Sequence, residues 1–199
     1  MHLLIFAGFL GSGKTTLVIP LSKAVVQSGY RVAIIVNEIG EIGIDNQLMR
    51  QIGLNVWELV AGCICCTLSG DLATTLQNLD SDYAPDLVIV EASGAANPKS
   101  VLGALPYYRG RSLSSTRVVS VLDPLRLAMM MEVLTPLITS QIQHADLIIV
   151  SKTDLASPRE VEFARQTARE INPKARIVNT GVRGHLDPAL ISGILPWLN

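Results

Sequence analysis

The chain has 199 residues, 49% hydrophobic and 17% charged, with 16 basic against 17 acidic side chains and a net charge of −1. That balance excludes a disordered chain and gives no long-range pull toward nucleic acid or an acidic membrane surface. The longest apolar stretch, residues 118–134, is interrupted by Asp123, Arg126 and Glu132, so no window offers the roughly 18 uncharged apolar residues of a spanning helix.

Taken along the chain, short β-branched runs alternate with helical stretches. LLIFAG (3–8) reads as a buried strand, preceded by no basic leader and followed by an amphipathic segment from Lys14 to about Ser28. RVAIIVN (31–37) is a second strand, ending in the loop-like EIGEIGID. VWELV (56–60) is a third, followed by a cysteine loop and a polar helix after Leu68. Further strands fall at 86–94, 117–123, 145–154 and 175–180, with helices near 97–105, 124–143, 158–171 and 187–195. Continuous apolar strands separated by helices predict a three-layer α/β fold, a mostly parallel central sheet with helices on both faces. Ligands in such sheets sit at the carboxyl ends of the strands, where every motif below falls. The expected organisation is one cytoplasmic domain over 1–199.

GFLGSGKT matches G-x-x-x-x-G-K-[ST] at Gly8, Gly13, Lys14 and Thr15. Between a strand and a helix, such a loop turns backbone N–H groups toward phosphate oxygens, and the helix adds its positive end. Lys14 would reach the β/γ-phosphates and the Thr15 hydroxyl Mg²⁺. Gly11, Ser12 and Thr16 complete the nucleotide-binding stretch. An ordinary Gly-rich turn is the competing reading, and its place between strand and helix argues against it.

SKTD (151–154) ends an apolar strand. The Asp154 carboxylate can accept the N1–H and 2-amino hydrogens of guanine, and adenine would leave that charge unpaired. Lys152 would lay its stem along the base with its head toward the phosphate loop. Ser151 stands where GTPases usually carry Asn, and its shorter side chain predicts a weaker hold on guanine. Without the phosphate loop upstream, these four residues read equally as a helix N-cap.

Glu91 closes the strand DLVIVE, with Gly94 three residues on. The carboxylate can hold Mg²⁺, and the glycine N–H can sense a γ-phosphate. The segment 37–45 offers Glu38, Glu41 and Asp45, one of which would orient water or metal. Arg109 and Arg111 are the loop candidates for an arginine finger.

All three cysteines, Cys63, Cys65 and Cys66, fall within four positions. Neighbouring Cα atoms lie about 3.8 Å apart and disulfides need about 4.4–6.8 Å, so pairing is disfavoured. Clustered thiols in a reducing compartment bind metal or do redox chemistry. Three thiolates fill three corners of a tetrahedral site for a soft or borderline ion such as Zn²⁺. A structural zinc, inert core cysteines and a redox centre are the alternatives.

With GFLGSGKTT, NEIGEIGID, GCICC, EASGAANP and SKTDL in hand, the chain resembles the CobW-type branch of the metal-handling GTPases that includes UreG and HypB. The resemblance implies a SIMIBI-class P-loop fold, GTP hydrolysis to GDP with Mg²⁺, and catalytic roles for Lys14, Glu41, Asp45 and Glu91. It also implies a nucleotide- or metal-linked homodimer, and delivery of a transition metal to a client metalloenzyme or corrinoid-dependent protein. Cys63, Cys65 and Cys66, helped by Glu38 or Glu41, become the metal positions, with Zn²⁺ first and Co²⁺ or Ni²⁺ as alternatives. CobW-type chains usually continue into a second domain, so this sequence reads as the GTPase domain alone. A small-molecule phosphotransferase and a non-catalytic metal buffer or redox protein are the competing functions.

Overall fold

The computed structural model describes residues 1–36, 55–58, 68–181 and 194. The strands are β1 (His2–Ala7), β2 (Val32–Val36), β3 (Asn55–Glu58), β4 (Leu87–Glu91), β5 (Ser115–Leu122), β6 (Leu147–Val150) and β7 (Arg176–Asn179). The helices are α1 (Lys14–Gln27), α2 (Leu68–Asp82), α3 (Pro98–Ala104), α4 (Pro124–Val133), α5 (Thr135–Gln143) and α6 (Pro158–Ile171). A single 3₁₀ turn, Leu105–Tyr107, follows α3.

Among the described residues, all seven strands run parallel in the order β3-β2-β4-β1-β5-β6-β7. Because side chains alternate along a strand, β1 feeds both faces: Leu4 and Phe6 pack with Leu17, Leu21 and Val25 of α1. Leu3 and Ile5 pack on the opposite face with Leu72, Leu76 and Leu79 of α2 and Val101 of α3. Beyond β5, Ile148 and Val150 meet Leu127, Ile138, Ile142, Ala164 and Ala168 from α4, α5 and α6. A parallel sheet covered on both faces needs apolar residues at every position, which is why the strands read as continuous hydrophobic runs. The result is the three-layer P-loop fold.

Pro98, Pro124, Pro136 and Pro158 each sit in the first two positions of a helix, where the missing N–H costs no internal bond. The segment 124–143, expected as one helical stretch, is two helices. Pro136 cannot donate to the carbonyl four residues back, and the chain breaks at Leu134, whose φ is −128°. The helix expected over 187–195 lies outside the described residues except for Ile194, which is helical and buried. No described helix is long and apolar enough to cross a membrane.

Pairing register aligns the strand ends that matter. Phe6 lies opposite Glu91, Ala7 opposite Ser120, and Leu122 opposite Val150. The loops that follow β1, β4, β5 and β6 therefore emerge together at one edge.

Candidate functional site

The phosphate loop joins β1 to α1 and needs glycine for reasons visible in its backbone. Gly8, Gly11 and Gly13 have φ values of 142°, 72° and 98°, a region that side-chain-bearing residues rarely adopt. A Cβ on Gly8 would also drive into the Val121 carbonyl and the Ser12 hydroxyl. Ser12 is buried, and its hydroxyl oxygen has no hydrogen-bond partner among the described residues. Lys14 is buried and curls back, its ammonium donating to the carbonyls of Gly8 at 2.9 Å and Phe9 at 3.4 Å.

One residue on, the Thr15 hydroxyl donates to Glu91 Oε1 at 2.6 Å. Glu91 is buried. A hydroxyl and a carboxylate, both hard oxygen donors, at the first turn of α1 fit the chemistry of Mg²⁺. These groups open onto a cleft of about 610 Å³ lined by residues that include Gly11, Gly13, Lys14, Thr15, Thr16, Val36, Glu91, Gly94 and Lys152. That volume lies within the range of small-ligand sites, about 300–1,000 Å³.

The loop after β4 forms one wall. Gly94 lies so close to Leu10 that a Cβ there would overlap the Leu10 backbone. From behind, Gln141 of α5 donates to the carbonyls of Ala96 at 3.2 Å and Gly94 at 3.4 Å. Ser140 donates to Asn97 Oδ1 at 2.7 Å, the same oxygen that caps α3 through Lys99 N–H at 2.9 Å.

At the other end of the cleft, Lys152 has a φ of 53°, a left-handed conformation that costs a non-glycine residue about 1–2 kcal/mol. Its ammonium donates to Gly11 O at 2.7 Å and to Asp123 Oδ2 at 2.7 Å. Ser151, expected to leave the base site without a bracing amide, makes a brace of its own. Its buried hydroxyl reaches Ser12 O at 2.7 Å and Leu122 O at 3.0 Å. Asp154 is exposed and set against Gly181, where an added Cβ would come within 3.0 Å of the carboxyl carbon. It lies outside the lining of the cleft itself.

Two residues of this edge were not legible as site residues. Asp123 caps α4 through Leu125 N–H at 3.1 Å and also accepts from Arg126 Nε at 3.1 Å and Lys152. Arg126 donates to Leu10 O at 2.5 Å and sits 5.9 Å from the centroid of the Phe9 ring. The available signal was the tetrapeptide VLDP, an acid at a strand's carboxyl end before a helix-opening proline.

Arg109 and Arg111, the arginine-finger candidates, stand elsewhere. Their loop enters β5, so it belongs to the amino edge of the sheet. There Arg111 pairs with Asp80 and donates to Pro85 O at 3.2 Å, and Arg109 donates to Pro106 O at 2.5 Å. Glu38, Glu41, Asp45, Cys63, Cys65 and Cys66 lie outside the described residues. Among the described residues, no three His, Cys, Asp or Glu side chains gather as a metal site.

Known proteins bring this edge into context. Zinc chaperone YjiA of Escherichia coli is 31% identical over 196 residues, covering 94% of this chain and 59% of that protein. Zinc-regulated GTPase metalloprotein activator 1 of Schizosaccharomyces pombe is 31% identical over 194 residues, covering 92% of this chain and 46% of its own length. The chain thus spans about half the length of these relatives. Among solved structures, HypB of Archaeoglobus fulgidus matches with a TM-score of 0.71 at 17% identity, over 100% of this chain and 91% of that one. Zn(II)-bound YjiA GTPase of E. coli matches at 0.65 and 24% identity, over 96% and 60%; both likenesses concern the fold. A family model described as CobW/HypB/UreG, nucleotide-binding domain, matches residues 2–179, and the chain belongs to that family.

Proposed function

We propose that this chain binds and hydrolyses GTP and uses the cycle to hand a transition metal to a client metalloenzyme or a corrinoid-dependent protein. The observation that carries the reading is the joining of two loops. Ser151 and Lys152, from the loop after β6, donate to the carbonyls of Ser12 and Gly11. Under this proposal the polyphosphate lies in the cleft and the base beyond Lys152 toward Asp154, and the two bonds set the separation of the subsites.

In this reading the backbone N–H groups of the phosphate loop and the Lys14 ammonium take the β- and γ-phosphates. Asp154 accepts from the guanine edge, and Lys152 covers the base with its stem. Thr15 and Glu91 hold Mg²⁺, which when bound neutralises charge on the β- and γ-oxygens. Gly94 N–H reads the γ-phosphate, and Glu41 or Asp45 orients the attacking water.

Cys63, Cys65 and Cys66, with Glu38 or Glu41, take the cargo ion, Zn²⁺ before Co²⁺ or Ni²⁺. What supports the cargo is family membership and the similarity to the zinc chaperone YjiA. If GTP changes the affinity for metal, metal changes the affinity for GTP by the same factor. The homodimer belongs to the same proposal.

The test measures Zn²⁺ affinity with a non-hydrolysable GTP analogue and with GDP, together with phosphate release. Expected are guanine-selective binding and a metal affinity that differs between the two nucleotides. Alanine at Cys63, Cys65 and Cys66 should spare GTP binding and remove Zn²⁺ binding. Equal Zn²⁺ affinity in the two states would remove the coupling and leave a plain guanine-nucleotide hydrolase.

A further inference from the structure

We infer that Asp123 is a positioning residue for nucleotide binding: it holds Lys152 in place over the base side of the cleft. The inference rests on the guanine-nucleotide reading above and adds a residue and a mechanism to it.

Asp123 stands at the carboxyl end of β5, and its side chain is only 6% exposed. Three donors converge on it: the N–H of Leu125, Nε of Arg126 at 3.1 Å and the ammonium of Lys152 at 2.7 Å. Each cation spends its remaining reach on the phosphate loop. Arg126 donates to Leu10 O and Lys152 to Gly11 O. One carboxylate therefore ties two successive carbonyls of the loop to two cations from different elements.

Peptide planarity divides the work between the two cations. In a trans peptide the C=O and N–H point in opposite directions. Holding Leu10 C=O on Arg126 thus aims the Gly11 N–H the other way. The next unit is held independently of Lys152, since Ser12 N–H donates to Phe9 O at 3.1 Å. The phosphate side of the loop therefore keeps its aim when Lys152 leaves Gly11 O, and the loss falls on the base side. Lys152 meanwhile adopts an unfavourable left-handed backbone, a conformation that persists only where surroundings over-determine it. The N–H groups of Leu155 and Ala156 hold its backbone through the Lys152 carbonyl, and Asp123 fixes where its side chain points. Without its charge, Lys152 and Arg126 are like charges on adjacent carbonyls, and the flexible lysine stem is the one free to leave.

The experiment is a double-mutant cycle on Asp123→Asn and Lys152→Ala, read by the affinity for GDP and for inorganic tripolyphosphate. Asp80→Asn, a buried carboxylate at the opposite edge, is the control. Expected is a loss of GDP affinity of about tenfold to hundredfold in each single variant, no further loss in the double, and little change with tripolyphosphate. Asp123→Glu, which keeps the charge, should recover part of the loss. If Asp123→Asn does not fold, Lys152→Gln replaces it: the apolar stem is largely kept but the charge that Asp123 pairs with is removed, and a loss of the same order is expected. Unchanged GDP binding, losses that add, or equal losses for GDP and tripolyphosphate overturn the assignment. A wild-type protein that binds no guanine nucleotide overturns the reading beneath it instead.

Discussion

Asp80 and Asp123 occupy opposite edges of the same sheet and are built alike. Each side chain is almost fully buried, at 7% and 6% exposure. Each is paired with an arginine and accepts a backbone N–H, from Arg111 at 2.6 Å and from Leu125 at 3.1 Å. The third donor separates them. For Asp80 it is the Tyr108 hydroxyl at 2.9 Å, which closes a loop on itself; for Asp123 it is Lys152, which lines the cleft. Equal chemistry at the amino edge fastens a connection, and at the carboxyl edge it reaches the wall of the cleft. In a parallel sheet the strand direction decides which role a carboxylate plays.

Variants at the two edges should therefore fail in different assays. The largest effect is expected from Lys14→Ala, which should reduce nucleotide affinity more than a hundredfold, on the order of 3 kcal/mol, with little change in melting temperature. Isothermal titration beside a thermal scan checks both. Asp154→Ala should come next, lowering the preference for GTP over ATP by on the order of a hundredfold, read by competition binding.

The amino edge should behave inversely. Asp80→Asn should cost about 1.5–3 kcal/mol, the range for hydrogen bonds to a charged group, while GDP affinity stays at the wild-type value. A denaturant titration and a binding isotherm made on the same sample separate the two. Loss of GDP binding on Asp80→Asn would break the comparison.

The smallest effect is in pH dependence. Burial pulls the Asp80 carboxyl upward, but hydrogen bonds from the Arg111 backbone and side chain and from Tyr108 outweigh it, holding it below the usual range. Asp86 is lowered in the same way, with burial opposed by the backbone and side chain of Arg31. A depressed carboxylate contributes stability that is present above about pH 4 and lost as pH falls through its lowered value. Tyr108 is pushed up to about 12, by burial first and then by its bond to Asp80. Its contribution is present below about pH 10 and lost as pH rises toward 12. Asp80→Asn should soften the acid limb and return the Tyr108 titration toward pH 10, followed by tyrosinate absorbance.

The phosphate loop was legible because its information is local: glycines at set spacing, a lysine and a threonine between a strand and a helix. The order of strands and helices was legible for a similar reason, since a doubly covered sheet demands unbroken apolar runs. Asp123 was not, because its role depends on pairing across distance. Lys152 is 29 residues away, and the loop carbonyl that Arg126 reaches is 116 residues away from it. The break at Leu134 carried a signal in Pro136, which the apolar continuity of 124–143 masked. Ser151 shows the opposite limit: a departure from the usual Asn predicts a missing brace, and the backbone carbonyl of Ser12 supplies an acceptor that no motif encodes.

The contact between Gly94 and Leu10 has a mechanical result. A Cβ at position 94 would fall on the Leu10 backbone, so the loop after β4 and the loop after β1 mesh like two teeth of a gear. Neither can advance without displacing its neighbour. Any residue larger than glycine at position 94 would wedge the two loops apart.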